Sequence, residues 1–150
     1  MSKKDKSYRN LEEDKSLQVE EAISAYNSYS TPAILIARKG VSFKFLLDIS
    51  EKLSLSLAEL SQILHVSLRT LQRYMPSKKL DTDSSSKALQ LAFLLQTGIK
   101  VFGSSHSMNV WMNSSLPSLG GQRPKDFLDT PFGFQLLEEE LNRIEFGLFA

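Results

Sequence analysis

The sequence contains no cysteine, which excludes disulfides and thiolate chemistry. Its two histidines, His65 and His106, are far apart, and neither has a second soft ligand beside it, so no metal site is expected. No apolar run reaches the roughly 18 residues that a membrane span needs. The N-terminus is charged (Lys3, Lys4, Asp5, Lys6) with no apolar stretch behind it, unlike a secretory signal, and a cytoplasmic protein is expected. A glycine-rich phosphate loop and a nucleophile elbow are also lacking, and His106 stands between Ser105 and Ser107 without the partners of a triad. No enzyme activity and no cofactor are therefore expected, and a small enzyme with an unfamiliar site is the distant third among three function classes.

What is present is 150 residues, 41% of them hydrophobic, enough for one ordinary core or for two small helical modules sharing one. The net charge of +1 conceals an uneven distribution. Residues 1–20 are balanced, residues 38–79 carry a net +5, and residues 80–150 a net −3. A basic middle suits a polyanion, and an acidic end suits a different partner.

Residues 1–15 are polar and lack apolar periodicity, which predicts a mobile leader. Leu17, Ile23 and Tyr26 fit a short amphipathic helix ending near Tyr29. Residues 33–37 suit a strand or a short helix equally, and Gly40 punctuates. Ser42, Ser56 and Ser67 each stand as an N-cap before an apolar-periodic segment, and Glu59 follows Ser56 at capping-box spacing. The serine-rich residues 80–86 read as a linker or a helix start. A helix over Lys87–Phe102 is apolar on nearly every side, so it is either central to the fold or part of a subunit interface. On the second reading it predicts at least a homodimer. Short helices follow over Ser107–Asn113, carrying Trp111, and Pro124–Leu128, with a terminal helix over Phe132–Phe146. Trp111 reads as a core anchor, Glu138, Glu139 and Glu140 as a solvated face, and the Gly120-Gly121 pair as a turn. The fold class is all-α.

Residues 57–74 (LAELSQILHVSLRTLQRY) form two amphipathic segments joined by a turn at His65-Val66, the layout of a helix-turn-helix. Serine stands at 61 and histidine at 65, where such motifs usually carry alanine and glycine; histidine enters the left-handed region more readily than most residues. Leu68, Leu71 and Tyr74 are expected to pack inward, leaving Arg69, Thr70, Gln72 and Arg73 outward. Arginine and glutamine suit bidentate contacts to guanine and adenine edges, while Ser67, Thr70, Lys78 and Lys79 suit phosphate. The alternative is an ordinary helical hairpin with a solvated basic face.

The C-terminal stretch carries, in order, Trp111-Met112-Asn113, Leu119-Gly120-Gly121, Arg123-Pro124, Leu128-Asp129-Thr130 and Phe132-Gly133, then Arg143-Ile144 and Phe146-Gly147. Each piece is weak alone. Together at these spacings they resemble the toxin-binding domain of the Xre/MbcA/ParS antitoxin family, and the upstream helix-turn-helix fits the same family over roughly residues 40–150. The resemblance implies a RES-domain toxin that degrades NAD as partner, self-association, a C-terminal tail covering the toxin's active-site entrance, and repression of the chain's own promoter. Arg143, Phe146, Gly147, Leu148, Phe149 and Ala150 are the expected toxin contacts. Read without the family, Leu148 and Phe149 are large apolar side chains in a short tail, which docks on a partner or on its own domain.

The expected organisation is a leader over 1–15, a helical region with the helix-turn-helix over 16–80, and a helical dimerisation and toxin-binding domain over 81–150. The expected partners are operator double-stranded DNA, the toxin and a second copy. The alternative is a plain transcription regulator whose C-terminal half dimerises or binds a small effector.

Overall fold

The computed structural model describes residues 31–147. The expected leader, the helix expected to end near Tyr29, and Leu148, Phe149 and Ala150 lie outside the described residues. Those described form seven α-helices: α1 (Thr31–Lys39), α2 (Phe43–Lys52), α3 (Leu57–Leu64), α4 (Leu68–Gln72), α5 (Thr82–Phe102), α6 (Ser105–Met112) and α7 (Pro131–Glu145), with single 3₁₀ turns at Pro117–Leu119 and Pro124–Phe127. No strand is present among them, as an all-α fold requires.

Local side-chain chemistry starts most of these helices. Ser42, Ser56 and Ser67 each accept a hydrogen bond from the backbone N–H three residues on, and Ser56 and Glu59 complete a reciprocal capping box. Thr130 caps α7, with Pro131 at its first position, where the missing N–H costs nothing. Residues 33–37 are helical, with Pro32 in the first turn of α1.

The serine-rich stretch resolves as a helix start. Asp81 caps α5 by accepting from the Ser84 N–H, and the helix begins five residues before Lys87. Ser85 is fully buried: its hydroxyl donates to the Leu80 carbonyl and accepts from the Val41 N–H at 3.0 Å. Burial of a hydroxyl is tolerated because both bonds are made.

α5 is the axis of the molecule. Ala88, Leu89, Leu91, Ala92, Leu94 and Leu95 are all buried, and the helix packs against α1, α2 and α3 on the N-terminal side and against α6 and α7 on the other. One continuous core results, running from Ala37 to Leu141 and including Trp111, which is buried beside Phe102. α5 is thus central to the fold, while Phe93, Ile99, Val101 and Phe102 on it stay partly exposed.

Candidate functional site

The helix-turn-helix is built as the spacing requires at α3 and less so at α4. Leu60, Ile63 and Leu64 of α3 and Leu71 of α4 are buried. His65 closes α3 in the left-handed conformation (φ 54°), the turn that usually calls for glycine. α4 is only five residues long. Of its three expected packing residues, Leu71 is buried and Tyr74 packs on Phe43 edge to face at 5.3 Å, but Leu68 is exposed. The reason is position: Leu68 is the first residue of α4, so no helical turn lies N-terminal to it for its side chain to cover.

Ser67, Arg69, Thr70, Gln72 and Arg73 are all exposed. Among the described residues neither Arg69 nor Arg73 is engaged in an ion pair. Ser67 and Thr70 are already occupied with one another: Ser67 accepts from the Thr70 N–H at 3.1 Å, and the two hydroxyls are 2.8 Å apart. Lys78 lies over the Tyr74 ring, 4.9 Å from its centroid, a cation–π contact. Its backbone carbonyl accepts from the Phe43 N–H, and Lys79 bridges to Ser42. These bonds tie the loop after α4 to the start of α2, and both lysines lie exposed on that loop.

The second surface is the outer face and end of α7. Phe134, Leu137 and Leu141 point into the core, whereas Phe132 (84% exposed) and Phe146 (70% exposed) point out at its two ends. Gly147 takes a positive φ of 65° and ends the helix. Ile144 packs against the core. One expectation is corrected here. The three glutamates are not one solvated face. Glu140 bonds Arg143 at 3.0 Å with only 12% of its side chain exposed, and Glu138 is half-buried. Burial first, and the neighbouring Glu139 second, push the Glu138 carboxyl above its ordinary value. Arg143 is therefore held by Glu140, with Glu139 at 4.0 Å, and presents part of its guanidinium outward from that clamp.

The residues between the two surfaces carry contacts that sequence reasoning missed. Lys125 bonds Glu59 at 2.8 Å, and the His65 Nε2–H donates to the Asp129 carbonyl at 2.9 Å. Both ends of α3 are thus tied to the loop that carries Arg123-Pro124 and Leu128-Asp129-Thr130. Partial burial acts to raise the Glu59 pKa, but the hydrogen bond from Lys125, the Ser56 N–H and the Lys125 charge together outweigh it and hold the carboxyl below its usual range. Arg123 and Asp126 brace the same loop, and their hydrogen bonds hold Asp126 low. Gly133 completes it: a Cβ there would strike the Phe127 carbonyl, so only glycine lets α7 start against this loop.

A helix-turn-helix with exposed arginines at α4 is thus joined through one core to a helical unit with exposed aromatic ends. Comparison with known families gives the class. Residues 32–92 match the antitoxin Xre-like helix-turn-helix domain, and residues 97–147 match the antitoxin Xre/MbcA/ParS C-terminal toxin-binding domain. The chain belongs to the Xre/MbcA/ParS antitoxin family. Among solved structures it is similar to a chain of the M. tuberculosis MbcT-MbcA toxin-antitoxin complex, with 21% identity and a TM-score of 0.51 over 71% of this chain and 95% of that one. At that identity the likeness concerns the fold. No curated protein matches the chain. The two family regions meet inside α5, which serves both. No helix among the described residues is long and apolar enough to cross a membrane.

Proposed function

We propose that this antitoxin silences a RES-type, NAD-degrading toxin through the outer face and end of α7, and represses its own promoter through α4. It acts by binding alone, without catalysis or cofactor, as a homodimer or larger complex with the toxin. The observation that carries the first half is the pair of exposed phenylalanines, Phe132 and Phe146, on the domain that matches the toxin-binding family. Large aromatic side chains held out of a core are the usual anchors of a protein interface. Gly147 then frees the chain from the helix, and Arg143 beside it offers donors to carboxylates or carbonyls near a nucleotide site. The second half is supported by exposed Arg69 and Gln72 on α4 and Arg73 at its cap, the two arginines making no ion pair among the described residues.

The test is co-expression with the adjacent gene. The full chain is expected to copurify with that product and to preserve cellular NAD. A chain lacking Gly147–Ala150 is expected to fold and bind promoter DNA but to let NAD fall and growth stop. Equal protection by the truncated chain would reject the tail as the inhibitory element. Arg69→Ala with Arg73→Ala is expected to abolish promoter preference, and full operator affinity in that variant would reject α4 as the reading helix.

A further inference from the structure

Leu68 is the first residue of α4 and is 38% exposed, while Leu71, one turn on, is 1% exposed. A lone exposed leucine is ordinary on a protein surface. This one is unusual in its surroundings, for Ser67, Arg69, Thr70, Gln72 and Arg73 around it are exposed and polar. A recognition helix of this kind contacts base edges with its N-terminal residues, and Leu68 is the first of them here. The hydroxyls of Ser67 and Thr70 on the same turn are bonded to each other, which leaves Leu68 and Arg69 as that turn's free side chains. The major groove offers polar edges throughout and a single apolar feature, the thymine 5-methyl group.

We infer that Leu68 is a specificity residue that reads thymine by packing its isobutyl group on the 5-methyl. The inference rests on α4 being the DNA-reading helix. A leucine driven into the groove opposite guanine, cytosine or adenine covers polar edges and returns nothing for their lost water. Opposite thymine it removes two apolar surfaces from water together. Leu68 would thus supply a thymine preference beside the polar readout by Arg69 and Gln72.

Deoxyuridine differs from thymidine only by that methyl, which makes the test direct. The promoter fragment upstream of this chain's gene is prepared with thymidine and, separately, with deoxyuridine throughout. A scrambled duplex of equal composition serves as the non-specific control. Binding of the full chain to all three is measured by fluorescence anisotropy at one salt concentration. The wild type is expected to bind the deoxyuridine fragment about fourfold more weakly for each methyl covered. Leu68→Ala is expected to show that loss already on thymidine DNA, with no further loss on deoxyuridine. Leu68→Met, which keeps an apolar side chain of similar size, is expected to retain the deoxyuridine penalty, so a folding defect in the alanine variant would not leave the question open. Equal wild-type binding to both fragments overturns the inference, as does a full deoxyuridine penalty in Leu68→Ala. Failure of the wild type to prefer promoter over scrambled DNA is a different result: it removes the DNA-reading role of α4 itself, and this inference with it.

Discussion

The Glu59–Lys125 pair decides how firmly the helix-turn-helix is held to the rest of the chain, and its removal can be worked through in numbers. The Lys125 side chain is only 10% exposed and that of Glu59 30% exposed, so the pair lies between two regimes. Exposed ion pairs contribute about 0–1 kcal/mol. Removing one member of a buried pair costs about 3–5 kcal/mol, because the other charge is left without a counter-charge. Glu59→Gln leaves the covered ammonium of Lys125 stranded but keeps an amide oxygen to accept from the Ser56 N–H, which Glu59 now binds at 2.7 Å. About 2 kcal/mol of destabilisation is expected, intermediate between those regimes. Lys125→Met keeps the aliphatic stem and strands only the more exposed carboxylate, for about 1 kcal/mol. Glu59→Ala also loses the capping box and adds about 1 kcal/mol to the glutamine variant's loss. For a chain of this size each kcal/mol lowers Tm by about 2–4 °C.

Urea and thermal unfolding of both single variants and the double variant give the coupling energy. A coupling under about 0.3 kcal/mol would show that the two residues are merely neighbours, and the reasoning would fail. The pH dependence supplies an independent check. The folded pKa of Glu59 lies below its unfolded value, so its stabilisation is complete above the unfolded value and is lost as pH falls through the folded one. The gap between wild type and Glu59→Gln is therefore expected to close in acid.

Three further outcomes follow from the packing. Gly133→Ala places a Cβ on the Phe127 carbonyl, a backbone group that cannot rotate away, and is expected to cost about 3 kcal/mol or more in urea unfolding; a loss under about 1 kcal/mol would mean that the loop yields. Glu138→Gln removes a half-buried carboxylate whose pKa is raised by burial and then by Glu139. Since the folded form binds that proton more tightly, the wild type loses stability as pH rises through the folded pKa, and the glutamine variant is expected to be more stable at pH 7 by under about 1 kcal/mol and flatter in that window. Phe132→Ala, at a side chain 84% exposed, is expected to leave Tm within about 1–2 °C and to weaken toxin capture at least tenfold; unchanged capture would take Phe132 out of the interface.

The features legible in the sequence are those set within four residues. Ser42, Ser56 and Ser67 announce their helices because a cap is made by a side chain and an amide three positions away. The Leu119-Gly120-Gly121 turn is equally local, both glycines taking positive φ. What escaped depends on distant chain. Ser85 lies in a stretch that composition leaves open between linker and helix start, and only its bond to the Val41 N–H, 44 residues away, explains a buried serine in a helix. Lys125 and Glu59 are ordinary surface types until the fold brings them together. Leu68 fits an inward repeat of three with Leu71 and Tyr74, but as the first residue of α4 it has no preceding helical turn to lie on. Arg143 is visible in the sequence as a basic residue near the end of α7, but its clamp by Glu140 depends on side-chain geometry that the sequence does not display.

The shared helix α5 has a consequence for how such a molecule disappears. Both family regions draw their cores from Thr82–Phe102, so neither retains a buried centre once that helix is cut or unwound. A protease that opens it is therefore expected to leave neither half folded. On the proposed function, loss of this protein would be a single event, with the gene released and the toxin unleashed on the same clock.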